Sequence, residues 1–333
     1  MQSIEKLSII IPTHRNPLGV QAFLESLEKQ VEIGFIQLEV LVVSNLNDPQ
    51  LDEILAKSWT FPVKGFVSGV IGVNAARNTG VRLASGDWFY FVDDDCRFIH
   101  PDHLSRLHQI IRTTREPIVG VGGGYTIADK SSLADIAYML TCQHWLDMSK
   151  TDEGDFHLVG GNACICRKIF DAGYTYNESI LFGGAETEFN LRLCGQGFRF
   201  NYNSKLNLLH ETKMTLGSLC RKAFLQGMGW GIREYYGVKE MSSKKMTLVE
   251  YLASQNYSGL AKSLLSVQLY LYDMFYLTGF NYFKAYKKTE IHQWNAFLGL
   301  VQEFERRTLQ TLKNTKMGRF YQRGLLRRRG ARR

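Results

Sequence analysis

The segment Trp88-Phe-Tyr-Phe-Val-Asp-Asp-Asp95 decides the fold, because five apolar residues are followed at once by three carboxylates. A short aromatic and β-branched run of this kind predicts a buried strand. Three adjacent carboxylates repel one another, so this position at a strand end favours a compensating cation. Such hard oxygen ligands suit Mg²⁺ or Mn²⁺. The structural alternative is an acidic turn that is simply solvated.

The residues before this segment alternate between strand and helix patterns. Leu7–Ile11 and Leu38–Val43 are apolar runs that predict buried strands. Between them, Asn16 is a candidate helix N-cap with Pro17 at the first helical position. Asn74–Ala84 is the next predicted helix. Strand and helix alternating through the first hundred residues predict a parallel α/β sheet.

Ligands of such sheets bind outside the carboxyl ends of the strands. We therefore expect Thr13–Asn16, Ser44–Asp48 and Asp93–Asp95 to line one crevice. The turn after the first strand has no G-x-G-x-x-G pattern, and the chain has no G-x-x-x-x-G-K-[ST] pattern. Both absences disfavour a dinucleotide oxidoreductase and a P-loop NTPase. A nucleotide held through a divalent cation remains.

The second half of the chain is organised differently. Gly160–Arg167 predicts a strand approached by glycines, and Glu186–Cys194 predicts a helix. From about residue 240 the pattern is rich in amphipathic helices. This change predicts a first domain over 1–238 and a helical C-terminal region over 239–333. The six cysteines show no zinc-like spacing, so we expect buried reduced thiols.

Charge is concentrated at the end of the chain. The net charge is +8, and residues 313–333 hold nine Lys and Arg and no acid. Such a tail predicts a polyanionic partner, with an anionic membrane surface favoured over nucleic acid. Neither a signal peptide nor a spanning helix is evident, so the expected location is cytoplasmic, extending to the inner face of the cell membrane through the tail.

Over about residues 6–235 the sequence resembles the family 2 glycosyltransferases of the GT-A fold. Five blocks in the expected order carry the resemblance: Ser8–Thr13; Ala76–Gly80 with Ala84–Gly86 and Phe91–Asp95; Gly160–Asn162 with Arg167; Gly183–Leu193; and His210 followed by a basic helix.

The resemblance implies a GT-A, Rossmann-like nucleotide-binding fold with a mostly parallel central sheet, here followed by a C-terminal helical extension. It also implies an inverting, metal-dependent transfer of a sugar from a nucleoside diphosphate donor, most often UDP, to an acceptor hydroxyl. We expect a hexosyltransferase that builds a bacterial envelope glycan or glycolipid, with a glycan, lipid-linked or protein acceptor. Gly229 replaces the Arg of a Gln-x-x-Arg-Trp motif found in processive relatives, which indicates a non-processive enzyme.

The same resemblance assigns roles to individual residues. The cofactor, Mn²⁺ or Mg²⁺, would be held by Asp93, Asp95 and His210. The catalytic base would be Glu186, which stands where the family usually has Asp, with Glu188 as the fallback and orienting group. The nucleotide-sugar site would comprise Pro12, Thr13, Arg15, Asn45, Arg77, Asn78, Asp93, Asp94, Gly161 and Asn162. Asn45 or Asp48 would replace the usual Asp at the nucleobase.

Two other classes of protein remain as alternatives. A sugar-nucleotide pyrophosphorylase shares this architecture but is expected to carry a Gly-rich, Arg- or Lys-bearing loop where this chain has Pro12–Asn16. A non-enzymatic membrane- or nucleic-acid-binding adaptor would use the basic tail, but it would leave Asp93–Asp95 and Glu186 without a purpose.

Overall fold

Ten strands and ten α-helices make up most of the part of the chain that the structure describes. The computed structural model describes residues 6–33, 37–127, 132–180, 184–211, 214–235, 237–238 and 247–286. Of the two compact units of the chain, Met1–Phe283 and Lys284–Arg333, these residues belong to the first apart from the last three. The basic tail, residues 313–333, lies outside the described residues.

The strands are short, as is usual for buried strands. They are β1 (Lys6–Thr13), β2 (Gln37–Ser44), β3 (Val63–Val67), β4 (Trp88–Val92), β5 (Cys96–Phe98), β6 (Ile118–Gly122), β7 (Tyr125–Ile127), β8 (Asn162–Cys166), β9 (Arg199–Tyr202) and β10 (Leu208–His210).

The two longest described helices, α8 and α10, lie on the C-terminal side. They are α1 (Pro17–Leu27), α2 (Pro49–Leu55), α3 (Val73–Leu83), α4 (His103–Thr113), α5 (Leu133–Met148), α6 (Arg167–Asp171), α7 (Ala185–Gly195), α8 (Leu216–Tyr235), α9 (Leu248–Ser254) and α10 (Gly259–Tyr286).

Seven strands form the central sheet, in the order β3-β2-β1-β4-β8-β6-β9. The β3-β2-β1-β4 half is parallel, whereas β8 runs antiparallel to both of its neighbours. A smaller sheet has the order β5-β10-β7. Thr13 lies opposite Ser44 at the carboxyl ends of β1 and β2, and β4 ends beside them. The sheet therefore brings the three predicted loop segments to one edge.

Alternating side chains of the central strands build a core on each face of the sheet. In β4, Trp88, Tyr90 and Val92 pack into one cluster, and Phe89 and Phe91 pack into the other. A third cluster joins α5, α8, α9 and α10. The helices after residue 247 therefore pack against helices that precede them.

These elements confirm the predicted α/β class with a mostly parallel sheet and C-terminal helices. Asn16 caps α1, accepting a hydrogen bond from the Gly19 amide at 3.2 Å, and Pro17 is the first helical residue. Cys164 and Cys166 pack on the same face of β8, and all six cysteines are free thiols.

In the part of the chain that the structure describes, no helix is both long enough and apolar enough to cross a membrane.

Candidate active site

The three carboxylates after β4 point to three different neighbours. Asp93 contacts Arg77, Asp94 contacts Thr13 and Asp95 contacts His210. The triplet is therefore divided between two environments, a large cavity that Asp93 and Asp95 line and the crevice at the end of β1.

Asp93 lies between a cation, a phenol and a glycine. The Arg77 Nη2 atom is 3.4 Å from its Oδ1 atom, and the Tyr125 hydroxyl donates to Oδ2 at 3.3 Å. A Cβ atom on Gly161 would fall 2.1 Å from this carboxylate, so any other residue there would have to displace it. Burial raises the pKa of Asp93; the charges of Asp95 and Glu186 act in the same direction, and Arg77 opposes them.

Asp94 is turned toward the first strand. The Thr13 hydroxyl donates to its Oδ2 atom at 2.5 Å, and the Asn16 amide donates to its backbone carbonyl at 3.3 Å. Burial raises the pKa of Asp94 to about 6. Thr13 and Asp94 therefore join the loops after β1 and β4, as the parallel order predicted.

Asp95, the third carboxylate, lies beside the His210 imidazole. The His210 Nε2 atom is 3.4 Å from Asp95 Oδ2. Burial lowers the pKa of His210, although Asp95 partly offsets this shift, so the imidazole is neutral at neutral pH. The His210 ring packs 4.7 Å from the Tyr125 ring. The Cys96 thiol completes a group whose potential ligand atoms lie within 4.8 Å of one another.

This donor set fits a divalent cation. Carboxylates suit Mg²⁺ and Mn²⁺, and a neutral imidazole is a nitrogen ligand that Mn²⁺ also accepts. Burial is the main cause of the raised pKa of Asp93, and the charge of Asp95 adds to it, while Arg77 opposes the shift. Asp95 and His210, with the Cys96 thiol, form the group that could hold a metal here. Asp93, the third predicted ligand, lies outside this group but lines the same cavity as Asp95.

A cavity of about 600 Å³ opens in front of Asp93 and Asp95. Its polar lining includes Arg77, Glu186 and several residues of α8, and its apolar lining includes residues of α5 and α10. This volume is in the range of pockets that hold small molecules and cofactors.

The two predicted catalytic acids differ in their surroundings. Glu186 lies in the first turn of α7, half-buried and facing the cavity, and among the described residues it accepts no hydrogen bond. Glu188 is 3% exposed and forms a double contact with Arg192, at 2.8 Å from Nε and 3.3 Å from Nη2. Of these two acids, Glu186 is therefore the one that presents an unengaged carboxylate to the cavity.

Three predicted site residues hold the backbone around the site. The Asn45 amide donates to Val70 O at 2.9 Å, and the Asn78 amide donates to Tyr176 O at 2.9 Å. Asn162 is fully buried; its amide nitrogen donates to the carbonyls of Gly124 and Leu206, and its oxygen accepts from the Tyr90 hydroxyl.

The remaining predicted residues lie at the edge formed by β1 and β2. Pro12 and Thr13 end β1, and Arg15 is exposed with a positive φ of 57°. Asp48 caps α2, because its Oδ1 atom accepts from the amides of Gln50 and Leu51. The Asp48 carboxylate is therefore engaged in capping α2.

Several lining residues were missed by the motif analysis. Lys222 stands with its Nζ atom 3.9 Å above the Tyr138 ring, on the side of the cavity near His210. His157 lies near Glu186, and its Nδ1 atom contacts the Asn190 amide at 3.2 Å. The basic character of α8 was the one sequence signal for Lys222.

Comparison with known proteins identifies the family of this chain. The model of glycosyl transferase family 2 matches residues 8–173. The match spans β1 to α6, including the carboxylate triplet and Gly161. The chain therefore belongs to glycosyl transferase family 2.

Two curated relatives cover only parts of the chain. An uncharacterized glycosyltransferase of Haemophilus influenzae is 34% identical over 106 residues, which is 32% of this chain and 34% of that protein. The O-antigen biosynthesis protein RfbC of Myxococcus xanthus is 24% identical over 224 residues, 62% of this chain and 17% of that protein. The matches thus span about a third or less of these relatives.

One solved structure shares the fold over most of the chain. It is a mannosyltransferase from Pyrobaculum calidifontis in complex with GDP-Man and Mn²⁺, with a TM-score of 0.51 and 14% identity. The match covers 92% of this chain and 83% of that one. At this identity the likeness supports the GT-A fold.

Proposed function

We propose that this chain is an inverting, metal-dependent glycosyltransferase that moves a sugar from a nucleoside diphosphate donor to an acceptor hydroxyl. The observation that carries the proposal is the cavity that Asp93 and Asp95 share with Glu186. Family membership supports the reaction class, and the donor complex of the Pyrobaculum enzyme supports a nucleotide-sugar donor and Mn²⁺.

The donor end of the cavity is assigned to Asp93, Asp95 and His210. A divalent cation, Mn²⁺ or Mg²⁺, bound by these residues would neutralise the negative charge that develops on the diphosphate leaving group. Arg77 holds the Asp93 carboxylate in place, and Gly161 leaves it room. Lys222 is positioned to add a further positive charge at this end.

The acceptor end is assigned to Glu186. An inverting transfer needs a base on the face of the sugar opposite the leaving group, where it accepts the proton of the acceptor hydroxyl. Because Glu186 is half-buried and accepts no hydrogen bond from the described residues, its carboxylate is available for that proton. Glu188, paired with Arg192, serves to fix α7.

The finer assignments extend this proposal. The donor is a UDP-hexose, the metal is Mn²⁺ or Mg²⁺, and transfer is non-processive because Gly229 replaces the arginine of the processive motif. The O-antigen name of the Myxococcus relative supports a role in envelope glycan or glycolipid synthesis. A lipid-linked or glycan acceptor at the inner membrane face agrees with the nine basic residues of 313–333.

A donor screen tests the proposed reaction. The full chain is incubated with a panel of UDP- and GDP-sugars and Mn²⁺, and release of the nucleoside diphosphate is measured, followed by the anomeric configuration of the product by NMR. We expect turnover of at least one donor and inversion at the anomeric carbon. Retention of configuration, or no turnover with any donor, would contradict the proposal.

A matched pair of variants links that turnover to the site. Asp95→Ala removes a proposed metal ligand, and Asp171→Ala removes an exposed carboxylate at the end of α6 that pairs only with Arg167. We expect the first variant to lose turnover and the second to retain it. Equal activity of the two variants would remove Asp95 from the mechanism.

The tail is tested separately. Deleting residues 313–333 should abolish salt-sensitive binding to anionic vesicles and leave donor hydrolysis in solution unchanged. Equal vesicle binding by the full and truncated chains would contradict the role of the tail.

A further inference from the structure

The outward face of α10 is apolar over roughly five helical turns. Six large side chains on this face are 44% to 75% exposed: Leu260, Leu264, Val267, Tyr270, Met274 and Leu277. Their spacing of three or four residues places them along one side of the helix. These six residues are called the apolar stripe below.

The stripe is distinct from the face by which α10 joins the core. Leu265, Leu269 and Tyr272 point inward and are buried with α5, α8 and α9. α10 is therefore apolar on two opposite sides, which a helix with one buried face and one solvated face does not need.

Charged groups avoid the stripe. The other exposed positions from Gly259 to Asn281 are Gly259, Ser263, Thr278 and Asn281, which are all uncharged. Lys262 and Asp273 are half-buried at its edges, and burial raises the pKa of Asp273 to about 6. A long exposed helix face without a charge indicates a site of contact with a membrane or with another protein.

We propose that the apolar stripe of α10 lies in the interface of an anionic membrane, parallel to its surface. Residues 313–333, which follow α10 in the sequence, carry nine Lys and Arg and no acid, so the charge complement is an anionic headgroup layer. An apolar face and a basic segment together are the two signals that stable membrane attachment requires.

This orientation has a consequence for the cavity. Tyr272 and Tyr276, on the inward side of α10, line the cavity that holds Asp93 and Glu186. The cavity wall therefore lies about one helix diameter, roughly 10 Å, from the surface that the stripe contacts. The use of this cavity for a membrane-embedded acceptor rests on the proposed function, whereas the binding of the stripe to a membrane does not.

Vesicle co-sedimentation of the full chain tests the proposal, with phosphatidylglycerol–phosphatidylcholine vesicles as the probe. The double substitution Val267→Glu/Met274→Glu places two charges in the stripe and replaces no buried residue. We expect binding to weaken on the order of 100-fold, from the lost partitioning of two apolar side chains. The milder Val267→Ser/Met274→Ser variant should give an intermediate loss.

The control is Val31→Glu, a change of the same type at a 52% exposed valine between α1 and β2, which should bind as wild type does. Donor hydrolysis in solution should be the same for all these proteins, which shows that the variants are folded. Wild-type vesicle binding by both stripe variants would overturn the proposal. The proposal would also be overturned if light scattering showed a dimer for the wild type and a monomer for the stripe variants while vesicle binding stayed unchanged. The stripe would then join two copies of the chain. Absent donor hydrolysis in the wild type would refute the proposed function instead.

Discussion

Replacing Glu186 by glutamine isolates the proposed base. The substitution keeps the shape of the side chain and removes its ability to accept a proton. Because Glu186 is half-buried and accepts no hydrogen bond from the described residues, the change breaks no hydrogen bond within them. The free energy of unfolding should therefore stay within about 0.5 kcal/mol of wild type.

The expected loss lies in kcat. General base catalysis typically contributes roughly 10²–10⁴-fold, which corresponds to about 2.7–5.4 kcal/mol of barrier at 1.36 kcal/mol per decade. The donor binds at the Asp93 and Asp95 end, so the donor KM should change little. Glu186→Asp should retain part of the activity, since it keeps a carboxylate in the same turn of α7.

Glu188→Gln is the matched control, because it makes the same chemical change two residues away. Glu188 is 3% exposed and pairs with Arg192, so its neutralisation weakens a buried, charge-assisted contact at a cost of about 1–3 kcal/mol. Steady-state kinetics and thermal melts of both variants should therefore separate them, with kcat falling in Glu186→Gln and Tm falling in Glu188→Gln. A Glu186→Gln enzyme within a few-fold of wild-type kcat would refute the assignment.

Three further predictions concern the surroundings of the site. Asn162→Ala removes the acceptor of the Tyr90 hydroxyl and one donor to each of the carbonyls of Gly124 and Leu206. The hydroxyl keeps its contact with His103 and the Gly124 carbonyl keeps the Leu208 amide as a donor, so denaturant melts should show a loss of about 1–3 kcal/mol. Gly161→Ala forces a Cβ atom against the Asp93 carboxylate, so calorimetry should show UDP–Mn²⁺ binding weakened at least about 10-fold, whereas Gly195→Ala, which meets no atom within 4 Å, should not weaken it. Burial raises the pKa of Asp273 to about 6, so its protonated form favours the folded state and its contribution to stability should fall as pH rises from about 4 to about 6. Because the pKa of Asp94 is also about 6, Asp273→Asn should reduce the slope of stability against pH in melts across this range without removing it.

The sequence predicted the strands that carry the site because their signals are local. The apolar runs of β1, β2 and β4 are short and continuous, and the Asn16-Pro17 pair fixes the start of α1. The parallel order then required the ends of these strands to meet, as the contact of Thr13 with Asp94 shows.

Two elements between β2 and α3 were not predicted, for reasons that the structure makes clear. The strand β3 lies at the edge of the sheet, and its sequence Val-Lys-Gly-Phe-Val is only half-buried or exposed, so it lacks the apolar pattern of a buried strand. The helix α2 is seven residues long, too short to show a helical period.

The helical side of the cavity could not be predicted residue by residue. Lys222, Tyr138 and Tyr272 come from three helices, and they meet only because α5, α8 and α10 pack together in the third cluster. No spacing within one segment encodes that meeting. The motif residues Asp93, Asp95 and Glu186 could be proposed for the site because each sits in a recognisable local block.

Calorimetric titration of the full chain with UDP tests the central claim most directly, namely that Asp93, Asp95 and His210 form a metal-dependent nucleotide site. The titration is run in Mn²⁺, in a chelator, and with Asp95→Ala in Mn²⁺. The account predicts binding in the first condition, and binding that is lost or at least about 10-fold weaker in the other two. Equal affinity in all three conditions would contradict it.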